Sequence, residues 1–217
     1  ARKLLNSRLQ QDYPRIFIDS LPVPDIIDGK YNPELLQQIK VGLLNSLHGL
    51  EKIGSRLIAI PCNTVHYFYS DLQSQTKYEV LHIMRTTLRR AKLSGHTKLG
   101  ILGTVVTIKD RLYENQAKEF GITIANPNES EIDFVANCIL KIIAGRFSAE
   151  DKSNLLSIVQ RLHEEENVSA VIIGCTDLSP ILKPTDGVVP LIDSLRELAE
   201  LTIIKYREIV ILGKKSQ

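Results

Sequence analysis

Leu57-Ile58-Ala59-Ile60-Pro61-Cys62-Asn63-Thr64 decides how this chain is read. A short run of Ile, Leu and Ala predicts a buried strand, and at its end a thiol, an amide and a hydroxyl arrive together. The pattern returns at Val171-Ile172-Ile173-Gly174-Cys175-Thr176-Asp177. Each cysteine is expected at the C-terminal tip of a parallel strand, so the two thiols are taken as a pair.

The surroundings of the two stretches repeat as well. Leu47-His48 leads through Glu51 and Ile53 to Cys62, and Leu162-His163 leads through Glu165 and Val168 to Cys175. A helix follows each cysteine, and then a strand entering a long helix, at Val80 to Ala91 in one copy and Val188 to Ala199 in the other. Alternating strands and helices predict an α/β fold with mainly parallel sheets. The repeat predicts two duplicated α/β domains, residues 1–95 plus 193–217 and residues 96–192, with the thiols facing each other across the interdomain cleft. Helical spacing is expected over 1–12, 34–54, 65–72, 87–93, 107–120, 132–144, 149–165 and from 194 to about 206. Further strands are expected over 15–20, 80–84, 98–104, 122–124 and 188–192, with a proline-rich loop over 21–33 and a frayed tail over 213–217. The second half opens on the strand and glycine turn Leu99-Gly100-Ile101-Leu102-Gly103-Thr104, which has no counterpart in the first. By symmetry, a strand and a glycine loop of about ten to twenty residues are expected before Ala1.

Composition removes several functional classes. With 43% hydrophobic residues over 217 positions, the chain has the material for an ordinary globular core. A net charge of +2 without a basic run, and no Trp, argue against nucleic acid. No apolar run approaches the roughly 20 residues that span a bilayer, so no membrane association is expected. Three cysteines are too few for a disulfide framework and lack zinc-site spacing, which predicts reduced thiols in the cytoplasm. His48, His82, His96 and His163 show no metal-ligand spacing, and Gly100 and Gly103 do not make a dinucleotide fingerprint. Cys138, between Val135 and Ile139 on a helix, reads as core. His66 reads either as orienting Cys62 or a substrate carboxylate, or as an ordinary surface or supporting histidine.

Pro61-Cys62-Asn63-Thr64-Val65-His66 and Gly174-Cys175-Thr176-Asp177, with Leu102-Gly103-Thr104 between them and Pro190-Leu191-Ile192-Asp193 after them, resemble the cofactor-independent aspartate/glutamate racemases. The likeness runs over nearly the whole chain in the same order. It implies an isomerase with two α/β domains related by a pseudo-twofold, an active site in the cleft, a small amino-acid substrate, no pyridoxal phosphate or other cofactor, and commonly a homodimer. It also implies that Cys62 serves the D-face and Cys175 the L-face of the substrate. Asn63, Thr64, Thr104, Thr107 and Thr176 match positions that line the site in the family. Asp177, where relatives often carry Glu, is expected to orient a thiol or the substrate ammonium.

The residues suit that chemistry on their own terms. Racemisation removes the α-proton from one face and returns a proton to the other, so two opposed acid/base groups are the economical arrangement. A thiol lowered by a helix N-terminus can serve as thiolate on one side and thiol on the other. Backbone N–H groups and hydroxyls at strand-to-helix turns can stabilise the enolate-like carboxylate. Two positions depart from the family: Ile26 stands where an arginine grips the substrate of aspartate racemases, and Ile143 stands where a lysine acts similarly. Losing both clamps points away from aspartate itself. Hydantoin racemases, maleate isomerases and arylmalonate decarboxylases share the scaffold and remain alternatives, as does a catalytically silent protein that binds a small carboxylate.

Overall fold

The structure is a computed structural model that describes residues 13–22 and 32–215. The helix expected over 1–12, the Ile26 position and the last two residues of the tail lie outside the described residues. The chain divides into two compact units. One takes the described residues up to 60, Phe68–His82 and the chain from Leu198 onward; the other takes Pro61–Tyr67 and Ile83–Glu197.

The first unit contains α1 (Pro33–Lys52), β1 (Leu57–Ala59), α2 (Tyr69–Ser74) and β2 (Glu79–Leu81). Asn32 caps α1 by accepting hydrogen bonds from the Glu34 and Leu35 N–H groups, and Pro33 occupies the first turn where no N–H is needed. The helix buries Ile39, Leu43 and Leu47, four residues apart on one face. Strands β1 and β2 pair in parallel, with Ile58 opposite Val80. The strand expected over 15–20 does not form: these residues run as coil, with Ile16 70% and Ile18 86% exposed. A strand exists through its ladder, and the alternating apolar residues there have no paired neighbour among the described residues.

In the second unit the elements are α3 (Ile83–Leu93), β3 (Lys98–Leu102), α4 (Val105–Lys109), α5 (Leu112–Ala117), β4 (Thr123–Ala125), α6 (Glu129–Ile143), α7 (Ala149–Glu166), β5 (Ala170–Ile173) and β6 (Leu191–Asp193). Helix α8 (Ser194–Lys215) starts here and continues past the expected end near residue 206, into the first residues of the tail expected to fray. The four strands form one parallel sheet in the order β4-β3-β5-β6. Helices α6 and α7 each begin in a reciprocal capping box, Asn128 with Glu131 and Ser148 with Asp151. Their apolar faces contribute Val135, Ile139, Leu155, Val159 and Leu162 to a core shared with Val171 and Ile173 of β5. Cys138 is fully buried in that core, as its position between Val135 and Ile139 implied.

Several boundaries differ from the expected ones. Ile83 and Met84 open α3 rather than prolonging β2, and the helix expected over 107–120 breaks at Arg111, whose φ of 54° lies in the left-handed region. Apolar residues at a strand-to-helix junction suit either state, so composition alone could not place the joint. The repeat is nevertheless legible in the element order. A long helix, a strand, a cysteine turn in 3-10 geometry, a second strand and a further helix occur in that order in both halves, from α1 to α3 and from α7 to α8, although α2 follows the turn only in the first half and the helix expected after Cys175 is no more than the 3-10 turn.

Candidate active site

The sheet register of the second unit brings chemistry-bearing turns to one edge. Leu102 at the end of β3 stands opposite Ile173 at the end of β5, and Ile173 stands opposite Asp193 at the end of β6. Thr104, Cys175 and Ser194 therefore leave three adjacent strands at their carboxyl ends, the edge where parallel α/β sheets bind ligands. Gly174 permits the closest approach there. Its N–H donates to the Leu102 carbonyl at 2.7 Å, and a Cβ at this position would sit 3.1 Å from both that oxygen and the Ile101 side chain.

Cys175 is 5% exposed and precedes a 3-10 turn, Thr176–Leu178. Its Sγ donates toward Asp177 Oδ2 at 3.5 Å, and the Asp177 N–H is directed at the sulfur. Thr176 and Asp177 are both half-buried on this turn. Ser179, one turn on, donates to Asp193 Oδ1 at 2.7 Å, and the same oxygen accepts from the Leu195 N–H at 3.0 Å to cap α8.

Cys62, also half-buried, heads the segment 61–67 of the same unit and receives the N–H groups of Val65 and Thr64. His66 ties the turn to α3. Its Nδ1 lies 2.8 Å from the Cys62 carbonyl oxygen, and its Nε2 accepts the Ile83 N–H at 3.1 Å. A backbone N–H can only donate, so Nε2 is the bare nitrogen and Nδ1 carries the proton. The neutral ring thus ties the cysteine's own peptide to the start of α3, which makes His66 a supporting residue for Cys62.

Helix N-termini were expected to lower both thiols, and the N–H groups of the two turns do act in that direction. Burial outweighs them. It raises Cys62, with a further push from the Asp177 carboxylate, and drives Cys175 up to about 12, with Asp177 and the Cys62 sulfur adding to the rise. Both sulfurs rest as thiols, and one carboxylate acts electrostatically on both.

The remaining expected residues divide into two groups. Thr64, Thr104 and Thr107 form a hydroxyl chain, with Oγ1–Oγ1 distances of 3.0 Å between Thr64 and Thr104 and 2.9 Å between Thr104 and Thr107. Thr104 also caps α4 by accepting the Thr107 N–H at 3.2 Å. Thr107 is fully buried and Asn63 only 2% exposed. The Asn63 side chain faces inward, toward Ser194 and Tyr113. Neither of those partners stood out in the sequence, because a serine opening a helix reads as a cap and a tyrosine on an apolar helix face reads as core. Ile143 ends α6 at 67% exposure. Among the described residues no three His, Cys, Asp or Glu side chains gather as a metal site, and no helix is long and apolar enough to cross a membrane.

The chain resembles a broad-specificity amino-acid racemase, RacX, of Bacillus subtilis (strain 168), with 28% identity over 208 residues that cover 95% of this chain and 88% of that protein. A glutamate racemase of Parafrankia sp. (strain EAN1pec) is 27% identical over 205 residues, 87% of this chain and 71% of its own. Among solved structures, an aspartate racemase homologue from Pyrococcus horikoshii OT3 superimposes with a TM-score of 0.77 at 25% identity, covering 94% of this chain and 90% of that one. A family model for Asp/Glu/hydantoin racemases matches residues 1–202, nearly the whole length over which the paired cysteine turns and the parallel sheet are laid out. The chain belongs to the Asp/Glu/hydantoin racemase family, and is thereby an isomerase.

Proposed function

We propose that the protein interconverts the L and D enantiomers of small amino acids by 1,1-proton transfer between Cys62 and Cys175, without a cofactor. One observation carries the reading: a half-buried and a buried thiol, Cys62 and Cys175, lie in one unit, each on a turn with backbone N–H directed at its sulfur, and the Asp177 carboxylate acts on both.

In the L-to-D direction, Cys175 passes its S–H proton to Asp177, 3.5 Å away, and the thiolate takes the α-proton. The C–H electron pair moves into the α-carbon and carboxylate. Cys62 then delivers its own proton to the opposite face and is left as thiolate, stabilised by the Val65 and Thr64 N–H groups. One C–H bond breaks and one forms. Loss of the Asp177 proton to water and gain of a proton by Cys62 restore the starting state. For the D enantiomer Cys62 first loses its proton to water, its thiolate takes the α-proton, and Cys175 donates to the opposite face and then regains a proton from water. Thr64, Thr104 and Thr176 supply hydroxyls for the developing carboxylate charge, while the deeper Thr107 and Asn63 act through their neighbours.

Substrates include amino acids with uncharged side chains. The Bacillus subtilis relative is named a broad-specificity racemase, and Ile143 stands where a cationic clamp on a dicarboxylate was expected. The free thiols fit a reducing cytoplasmic setting, and the assembly is read as a homodimer, which sedimentation would check.

Single enantiomers of a panel of amino acids in deuterated water test the reaction. The α-proton is expected to exchange and the optical rotation to decay, with Cys62→Ser and Cys175→Ser each abolishing inversion. Absence of exchange for every amino acid would overturn the reading.

A further inference from the structure

Ser194 and Tyr113 bracket Asn63 in a buried polar chain that the two-thiol reaction does not itself use. Tyr113 Oη donates to Asn63 Oδ1 at 2.8 Å, Asn63 Nδ2 donates to Ser194 Oγ at 3.0 Å, and Ser194 Oγ donates to the Ile173 carbonyl at 2.8 Å. Ser194 and Tyr113 are fully buried, and Asn63 nearly so.

The direction of each bond follows from its neighbour. A carbonyl oxygen can only accept, so the single Ser194 proton goes to Ile173, and the Asn63 atom facing Ser194 must be the nitrogen. The amide oxygen is then turned to Tyr113, whose only proton satisfies it. The hydroxyls of Thr87 and Ser194 also reach the Tyr113 oxygen, but their protons are committed elsewhere, Thr87 donating to the Ile83 carbonyl at 2.8 Å and Ser194 to the Ile173 carbonyl at 2.8 Å. The chain therefore has a single arrangement, and reversing one member would leave a buried donor or acceptor unpaired.

Its two ends matter for the chemistry. Asn63 is the residue after Cys62, and Ile173 lies two residues before Cys175 on the strand that carries it. Ser194 is thus a two-bond bridge between the turn that holds Cys62 and the strand that leads to Cys175, and Tyr113 fixes the amide at one end of that bridge.

We propose that Ser194 and Tyr113 are positioning residues that set the separation and facing of Cys62 and Cys175. The proposal rests on the two-thiol reading for its catalytic meaning and on the hydrogen-bond chain alone for its geometry. In Ser194→Ala and Tyr113→Phe, which keep the side-chain shape, the sulfurs lose their fixed spacing while the turns themselves persist.

The experiment measures two quantities on the full chain. The first is deuterium appearing in unreacted substrate per inversion event, which counts intermediates that the second thiol fails to quench. Both variants are expected to raise this ratio at least tenfold and to lower kcat by a similar factor, with KM nearly unchanged. The second is the rate at which dibromobimane bridges the two thiols, a readout independent of turnover, with Cys175→Ala as the blank. It is expected to fall at least fivefold in both variants, and Ser194→Thr, which keeps the hydroxyl, is expected to recover part of it. Wild-type bridging rates and exchange ratios in folded Ser194→Ala and Tyr113→Phe would overturn the proposal. If the wild type bridges but racemises nothing, and the variants bridge slowly, the positioning role stands and the racemase reading falls. If the wild type does not bridge, the proposal falls with it.

Discussion

Replacing Asp177 by Asn is expected to move two properties of Cys175 in opposite directions. In the native protein the ionisation of this thiol lies near 12 rather than at the ordinary 9.0, so at pH 8 its thiolate is about a thousandfold scarcer than that of a free cysteine. Burial is the larger cause and is untouched by the substitution. The carboxylate oxygen stands 3.5 Å from the sulfur. Two unit charges at that distance repel by about 5 kcal/mol at an effective dielectric of 20, and by about 1 kcal/mol in bulk water. Because the larger part of the rise remains, removing the charge should return a factor of about 10 to 100 in thiolate population. A less basic thiolate is also a weaker nucleophile, which trims the net gain in alkylation to about 3- to 15-fold. Iodoacetamide labelling at pH 8, quantified on the Cys175 peptide by mass spectrometry, should rise by that amount in Asp177→Asn. Racemisation should fall by about 10²- to 10⁴-fold, the usual weight of a positioned proton acceptor. Slower or unchanged labelling would refute the electrostatic assignment, and unchanged turnover would refute the role of Asp177 as acceptor.

Alkaline stability gives an independent check. A thiol that ionises at 9.0 in the unfolded chain but near 12 in the folded one leaves the unfolded state with fewer protons above pH 9, so stability falls as pH rises from 9 toward 12. Cys175→Ala should flatten that decline by about 1.4 kcal/mol per pH unit in urea titrations, and parallel curves would contradict the buried, protonated state. Gly174→Ala should cost about 1–3 kcal/mol, because the added Cβ meets the Leu102 carbonyl and Ile101 at 3.1 Å, and the strain falls on the residue before Cys175. A neutral result in thermal melts would mean that the β3 and β5 strand ends are not so closely held.

The parts of the site that were legible in the sequence are those whose cause is local. Cys62 and Cys175 were found because each ends a short apolar run within a few residues, and the repeated order of elements around them needed no knowledge of packing. The lowering of both thiols by their turns was legible for the same reason. The burial that overrules it was not, since Cys175 belongs to a core that takes Leu178 from close by but also Val135 and Leu155 from distant helices. Residues 15–20 failed in the complementary way. Alternating Ile16 and Ile18 satisfied the pattern of a strand, but a strand needs a neighbour, and pattern alone does not supply one.

Asn63 shows most clearly where local reasoning stops. Its place beside Cys62 suggested a group that meets the substrate, yet its amide is taken by Tyr113, 50 positions away, and Ser194, 131 positions away. A side-chain amide offers both a donor and an acceptor, so the sequence leaves open which way it faces. What closes the question is the Ile173 carbonyl, an acceptor on the strand bearing the other cysteine, which dictates the serine's proton and through it the orientation of the amide. The thiols of the two halves are therefore related through a hydrogen-bond polarity that starts on one cysteine's strand and ends on the other's turn. Neither half by itself contains the information to set it.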